Sequence, residues 1–329
     1  MRIRWPFALA IVFASGAARA QDLSVLLGRM EAVRASESSA CWQVDFRYHP
    51  ARHISLSASY LNEGHVPDHK RDGIAAQLWG RIPLFARRVA LSLGGGPYYY
   101  FDTTTRADGS FADVHGWAGI YSASVDYYAR SPWFARLAVN HIKGGGDFDA
   151  NTYLAGVGYR LWKEEAREAG DVGPQAGAEP SRKTGDEVML FAGQTVANSL
   201  KDQKGIASGI EFRTGLAAHI DWTLTWLNES NPEVVRRNGL GSQAWVVDSY
   251  LDDRLVIGAG GGGYYFLDTK RPPATGQGGT RELAFLLSLT AGYRFADHWF
   301  VRFNWNRVLA EPNRDTDVFV LGAGFRWKE

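Results

Sequence analysis

Along residues 53–62 the chain alternates strictly: Ile54, Leu56, Ala58 and Tyr60 are separated by Ser55, Ser57 and Ser59. A period of two marks a strand with one apolar face and one polar face. Near the other end Trp299, Val301, Phe303 and Trp305 share one face, while Arg302, Asn304 and Asn306 share the other. Read along the first half, the pattern predicts strands at roughly 23–33, 41–49, 53–62, 73–82, 88–101, 116–129, 133–142 and 152–162. The connections alternate as well. Tight turns such as His49-Pro50-Ala51-Arg52 and Arg130-Ser131-Pro132 take turns with long polar stretches such as NEGHVPDHKRD and DTTTRADGSFADVH.

The pattern occurs twice. LSLGGGPYYYFDT (91–103) matches IGAGGGGYYFLDT (257–269) at an offset of 166 residues. The same offset aligns HISLSASYLNE with HIDWTLTWLNE, WFARLAVNH with WFVRFNWNR, YLAGVGYRLW with FVLGAGFRWK, and Gln77/Trp79 with Gln243/Trp245. One offset held through five segments is a duplication, and a repeat of this length is a structural unit. Between the copies, residues 163–187 are polar, rich in Gly, Pro and Ala, and without apolar period, which reads as a flexible linker.

Eight strands per copy, with short turns at one end and long loops at the other, are the sequence form of a transmembrane antiparallel up-and-down β-barrel. Aromatics near strand ends (Tyr98, Tyr99, Tyr127, Trp133, Tyr159, Trp299, Trp327) suit interfacial girdles. The chain therefore resembles the broad class of eight-stranded outer-membrane barrels along nearly all of each half. Each copy also ends on a Gly, an aromatic three residues on and an apolar residue two further: Gly156/Tyr159/Leu161 and Gly322/Phe325/Trp327. This is similar to the C-terminal insertion signal of such barrels, although Lys328 and Glu329 follow the last aromatic. The resemblance implies outer-membrane lipid, lipopolysaccharide and the insertion machinery as partners. The expected organisation is a signal peptide (1–20), a first barrel (21–162), the linker (163–187) and a second barrel (188–329). One sixteen-stranded barrel is the alternative.

If the apolar set faces lipid, the opposite set lines the lumen. It comprises Asp45/Glu211, Arg47/Arg213, Gln77/Gln243, Arg136/Arg302, Asn140/Asn306 and Arg160/Arg326, with Glu63/Glu229 near the long loops. Eight strands leave an interior just wide enough for side chains to fill. Charges enclosed there must pair, because an isolated buried charge is expensive. Two acids and three arginines recurring in both copies read as a structural lumen network. A charged pore constriction is the functional alternative.

Composition narrows the picture. The 329 residues carry a net charge of only +1, so bulk electrostatics points to no nucleic-acid partner. No segment beyond the first twenty residues approaches the length of a membrane helix. Those twenty, MRIRWPFALAIVFASGAARA, hold a basic start, an apolar run and Ala18-Arg19-Ala20, the parts of a secretory signal peptide cleaved after Ala20. An exported Gram-negative cell-envelope protein follows as the expectation, located in the outer membrane. Cys41 is the only cysteine, so no intrachain disulfide can form.

Candidate chemistry is sparse, and neither a cofactor nor a metal is expected. The glycine runs at 94–96 and 260–263 lead into strand-like sequence rather than a helix, so they mark bends or close packing instead of a phosphate loop. Asp147-Phe148-Asp149-Ala150-Asn151 opens like a calcium loop, but Thr152 and Gly158 stand where Gly and Glu are needed. His65 and His69, with Asp68 and Asp72, sit in a loop with no helix to fix their faces, and a solvated loop is the simpler reading. Strand seven, its loop and strand eight resemble the lipid A 3-O-deacylase (acyloxyacyl hydrolase) barrels, which carry a His-x-Ser there. This chain has His141-Ile142-Lys143, and Arg307-Val308-Leu309 in the second copy, without the nucleophilic serine that such hydrolysis needs. An enzyme would have to draw on His141, Glu63 and His65 at the rim. The expected role is non-catalytic: structural, surface-interacting or small-solute permeation. A lipid A-modifying hydrolase and a porin-like sixteen-stranded channel are the alternatives.

Overall fold

The computed structural model describes residues 21–33, 37–66, 69–105, 111–129, 131–144, 149–161, 184–197, 204–217, 219–230, 236–251, 253–270, 283–310 and 315–327. Residues 1–20, expected to be a signal peptide, and most of the expected linker lie outside these residues. The first copy forms β1 (Gln21–Ala32), β2 (Ser38–Ala51), β3 (Ile54–Val66), β4 (His69–Leu84), β5 (Val89–Thr105), β6 (Phe111–Tyr128), β7 (Trp133–Lys143) and β8 (Ala150–Arg160). The second forms β9 (Glu187–Ala197), β10 (Lys204–Ala217), β11 (Ile220–Asn228), β12 (Arg236–Tyr250), β13 (Leu255–Lys270), β14 (Leu283–Arg294), β15 (Trp299–Leu309) and β16 (Thr316–Arg326).

Every neighbouring pair is antiparallel, and each copy closes on itself: β1 pairs with β8 from Asp22↔Arg160 to Ala32↔Ala150, and β16 pairs with β9 from Thr316↔Ala197 to Arg326↔Glu187. Closure satisfies the backbone of both edge strands. The protein is thus two eight-stranded barrels, and the sixteen-stranded alternative is overturned by these two seams. Glu187, which its polarity assigns to the linker, is the first residue of β9 and points into the second lumen.

Side chains sort by parity. On β7 the odd residues Trp133, Leu137 and Val139 are exposed while Phe134, Arg136, Ala138, Asn140 and Ile142 are buried. The outward surface carries large apolar groups almost throughout, among them Leu27 (67% exposed), Leu93 (72%) and Ile206 (76%). The inward surface holds arginines and carboxylates that are buried. This is the inverse of a soluble barrel. One aromatic departs from the girdle reading: Tyr98 lies inside, fully buried, whereas Tyr127, Trp133 and Trp299 face out.

Candidate functional site

The first lumen is layered. At the short-turn end Arg136 lies between two carboxylates, 2.6 Å from Asp126 and 2.5 Å from Asp45, and also donates to Ser24. Arg47 stands 3.5 Å from each of the same two acids and donates to Ser124. Asp22 closes the rim with His49 at 3.0 Å and the Tyr128 hydroxyl at 2.9 Å. Above this comes an uncharged layer: Gln77 donates to Ser122, Ser122 to Asn140, and Asn140 to Gln43 and Thr152. Next is an apolar layer including Leu26, Leu61, Tyr98, Ile120, Ile142 and Leu154. At the long-loop end Arg71 forks onto Glu63, which also accepts from Tyr98 at 2.8 Å.

The second lumen repeats this plan. Arg302 bonds Glu187 and lies 3.2 Å from Glu211. Arg213 lies 3.3 Å from Glu211 and 3.5 Å from Asp221. Gln243 donates to Ser288, and Ser288 to Asn306 at 2.6 Å. Arg237 reaches Glu229 at 2.9 Å and Thr316 at 2.7 Å.

One acid has changed strand between the copies. Asp126 faces Arg136 in the β6–β7 register, but the equivalent partner of Arg302 is Gly292. The missing carboxylate is supplied by Asp221 on β11, where the first copy has Ser55. Both lumens therefore keep three buried carboxylates around two central buried arginines, with further bases at the rim (His49 near Asp22 and Arg81 at 5.4 Å from the Tyr128 ring in the first, Arg294 at 3.8 Å from Glu187 in the second). Enclosed charge is what the interior must balance, whichever strand supplies it.

The glycine runs serve close packing at this layer. Trp79 lies flat between Arg47, whose guanidinium is 3.9 Å from its ring, and Gly94, where an added Cβ would come within 2.3 Å of the indole. Trp245 is held the same way by Arg213 at 4.4 Å and Gly260 at 2.4 Å. Each indole N–H donates at 2.8 Å to a hydroxyl on the adjacent strand, Ser57 or Thr223.

A residue of positive φ follows the upper acid in each copy. Gly64 and Ser230 adopt φ of 88° and 67°, and the amide of each donates to the Asn two residues before it. Glu63 and Glu229 continue the odd-numbered inward sets of β3 and β11, and in the first copy the register against β4 shifts at this point, between Asn62 and Gly64. At Gly64 a side chain would also meet the Ala40 carbonyl at 2.1 Å.

Of the sequence-derived lumen set, Asp45, Arg47, Gln77, Arg136, Asn140, Glu211, Arg213, Gln243, Arg302 and Asn306 are buried together inside the barrels. Arg160 and Arg326 differ from these ten in their bonding, although the Arg160 guanidinium also lies 5.5 Å from the inward Tyr128 ring. They sit at strand ends and bond the short turns, Arg160 to the carbonyls of Ala129 and Ser131, and Arg326 to that of Asp297. Parity near a strand end does not decide whether a long side chain enters the lumen or curls onto a turn. Sequence reasoning missed Arg71 and Arg237, the partners of Glu63 and Glu229, although they too repeat at 166. Asp126 and Asp221 could not be found that way, because they have no repeat partner.

The rim candidates do not converge. Glu63 is inside and bound to Arg71, whereas His141 is on the outward face of β7 and bonds Asn151 at 2.9 Å. The barrel wall separates them. The side chain of His65 lies outside the described residues, as do those of Asp68 and His69 and residues 145–148 of the calcium-like loop. Among the described residues no group of three metal-binding side chains occurs.

No family model and no curated protein matches the chain. Among solved structures it is similar to the N-terminal β-barrel domain of Pseudomonas aeruginosa OprF, at 15% identity and TM-score 0.36, over 43% of this chain and 96% of that one. Neisserial surface protein A is similar at 12% identity and TM-score 0.35, over 44% and 97%. An outer membrane channel from Pseudomonas putida F1 is similar at 10% identity and TM-score 0.22, over 95% and 96%.

Proposed function

We propose that the chain is a non-catalytic outer-membrane protein of the bacterial cell envelope, exported by its signal peptide. Both barrels span the bilayer with the long loops outside the cell and the linker in the periplasm. Its role is structural or surface-interacting. Support for membrane insertion comes from the outward faces, where exposed Leu, Ile, Val and aromatic side chains would be untenable in water over so large an area. Lipid and lipopolysaccharide are the partners of that belt, and the strand endings after Gly156 and Gly322 are the features offered to the insertion machinery.

The observation that carries the role is the filling of both lumens. A permeation path would have to pass paired arginines and carboxylates, a hydrogen-bonded Gln–Ser–Asn chain and an apolar layer in the same barrel. A solute path needs lining groups that can rehydrate, and these groups bond one another instead. In planar bilayers the purified protein is expected to give no steady nanosiemens-scale steps. Such steps at neutral pH would return the porin-like reading. For the hydrolase alternative, incubation with lipid A followed by mass spectrometry is expected to show intact acyl chains; release of a 3-O-linked acyl chain would overturn the non-catalytic reading.

A further inference from the structure

On the strands that carry the exposed apolar belt, some outward positions near the long-loop end are neither apolar nor exposed. On β4 the outward set includes Leu78 (59% exposed) and Ile82 (60%), yet Asp72 in the same set is 2% exposed. On β15 Trp299, Val301 and Phe303 are exposed, whereas Trp305 and Arg307 are buried. These groups meet each other across the two barrels. Arg307 forks onto both carboxylate oxygens of Asp72, at 2.8 and 2.9 Å, while holding Asp317 of its own barrel at 2.9 Å. Its guanidinium also lies 4.9 Å from the Phe101 ring. Tyr60 donates to Asp72 at 2.8 Å and sets its ring edge-on to Trp305, with centroids 4.6 Å apart. His115 stands 3.0 Å from Asp315. At the opposite end the Tyr250 hydroxyl bonds the Gln21 amide.

The two barrels do not use the same face for this. Shifted by 166 residues, Asp72 becomes Asn238, Tyr60 becomes Trp226 and Phe101 becomes Leu267. Arg307 becomes His141, Trp305 becomes Val139 and Asp317 becomes Asn151. The seam is therefore heterologous, joining β3–β6 of one copy to β15 and β16 of the other at the long-loop end, and β1 to β12 at the short-turn end. A contact of that kind can in principle add a third barrel and run on. Here the Arg–Asp fork cannot repeat, because both unused faces lack its groups, although Arg281 and Asp149 stand at the places of His115 and Asp315. The repeat partners of Asp72, Arg307 and Asp317 are Asn, His and Asn, and His141 and Asn151 bond each other. The lumen networks recur in both copies, whereas the Asp72–Arg307 fork has no counterpart on the unused faces.

We propose that the Arg307–Asp72 pair, with the Tyr60–Trp305 contact beneath it, docks the second barrel on the first as a built-in membrane partner. The chain is then a closed, monomeric two-barrel body whose halves stay together without the linker. The second copy exists to occupy that face.

The test uses the full chain with a protease site inserted in the linker (163–183) and an affinity tag on one end. After insertion into liposomes the linker is cut, the protein is extracted in mild detergent, and the untagged half is quantified in the tagged eluate. The wild-type halves are expected to co-elute as a one-to-one pair of monomeric mass. Arg307→Glu, facing three carboxylates, is expected to reduce co-elution at least tenfold, with both halves still heat-modifiable on gels. His141→Glu, at the equivalent unused face, is expected to leave co-elution unchanged. If Arg307→Glu does not insert, Asp72→Asn decides, since Asn238 occupies that place in a folded barrel of the same chain. Separation of the wild-type halves on cleavage would overturn the proposal. So would undiminished pairing in the variant that inserts, or wild-type assemblies larger than one chain.

Discussion

Arg136→Ala is expected to destabilise the first barrel by about 3–5 kcal/mol. The substitution leaves Asp45 and Asp126, both fully buried, facing each other with Arg47 as the remaining nearby arginine at 3.5 Å from each. Removing one partner of a buried ionic cluster costs far more than the cluster itself is worth, because the survivors stay desolvated and unpaired. Arg302→Ala should act alike in the second barrel through Glu187 and Glu211. A companion variant separates this cause from lost volume. Arg136→Met with Asp126→Asn removes one charge of each sign, leaves Arg47 beside Asp45, and is expected to recover much of the stability. Urea unfolding in detergent micelles, read by the heat-modifiable gel shift, measures both. A single variant within about 1 kcal/mol of wild type would show that the cluster is hydrated and the lumen open.

The second large effect is expected at the stacked tryptophan. Trp79→Ala removes a buried indole together with its bond to Ser57 and its contact with Arg47, for about 3–5 kcal/mol. Gly94→Ala is expected to cost about 1–3 kcal/mol, because the new methyl overlaps the ring by more than its neighbours can yield. The two should couple. With Trp79 already truncated, the methyl at 94 has room, so the double variant is expected to be less destabilised than the sum of the singles. Additive costs would mean that Gly94 is needed for backbone shape rather than for the indole.

Most of the architecture can be read from residue order. Period-2 runs such as Ile54–Tyr60 mark the strands to within a few residues, and β7, expected at 133–142, spans Trp133–Lys143. The offset of 166 exposes Gln77/Gln243 and Arg136/Arg302 because duplicated interiors keep the residues that bond one another. It fails where the copies compensate. Asp126 and Asp221 do the same work from different strands, and no alignment of the halves pairs them. Glu187 was hidden by its own chemistry, since a lumen acid at a strand start looks like linker.

The sequence by itself determined the strand count, the inward and outward faces, the sorting of loops and the duplication, because alternation and turn chemistry are local properties of a β-chain. Whether β8 returns to β1 or runs on to β9 is not local. Either pairing satisfies the same edge hydrogen bonds, and only the closed registers Asp22↔Arg160 and Arg326↔Glu187 distinguish two small barrels from one large one. The tertiary structure likewise decided the fate of the outward charges. Asp72 and Arg307 interrupt a lipid-facing pattern in sequence, and they become tolerable only because each barrel covers the other's ion, over a contact spanning 235 residues of chain.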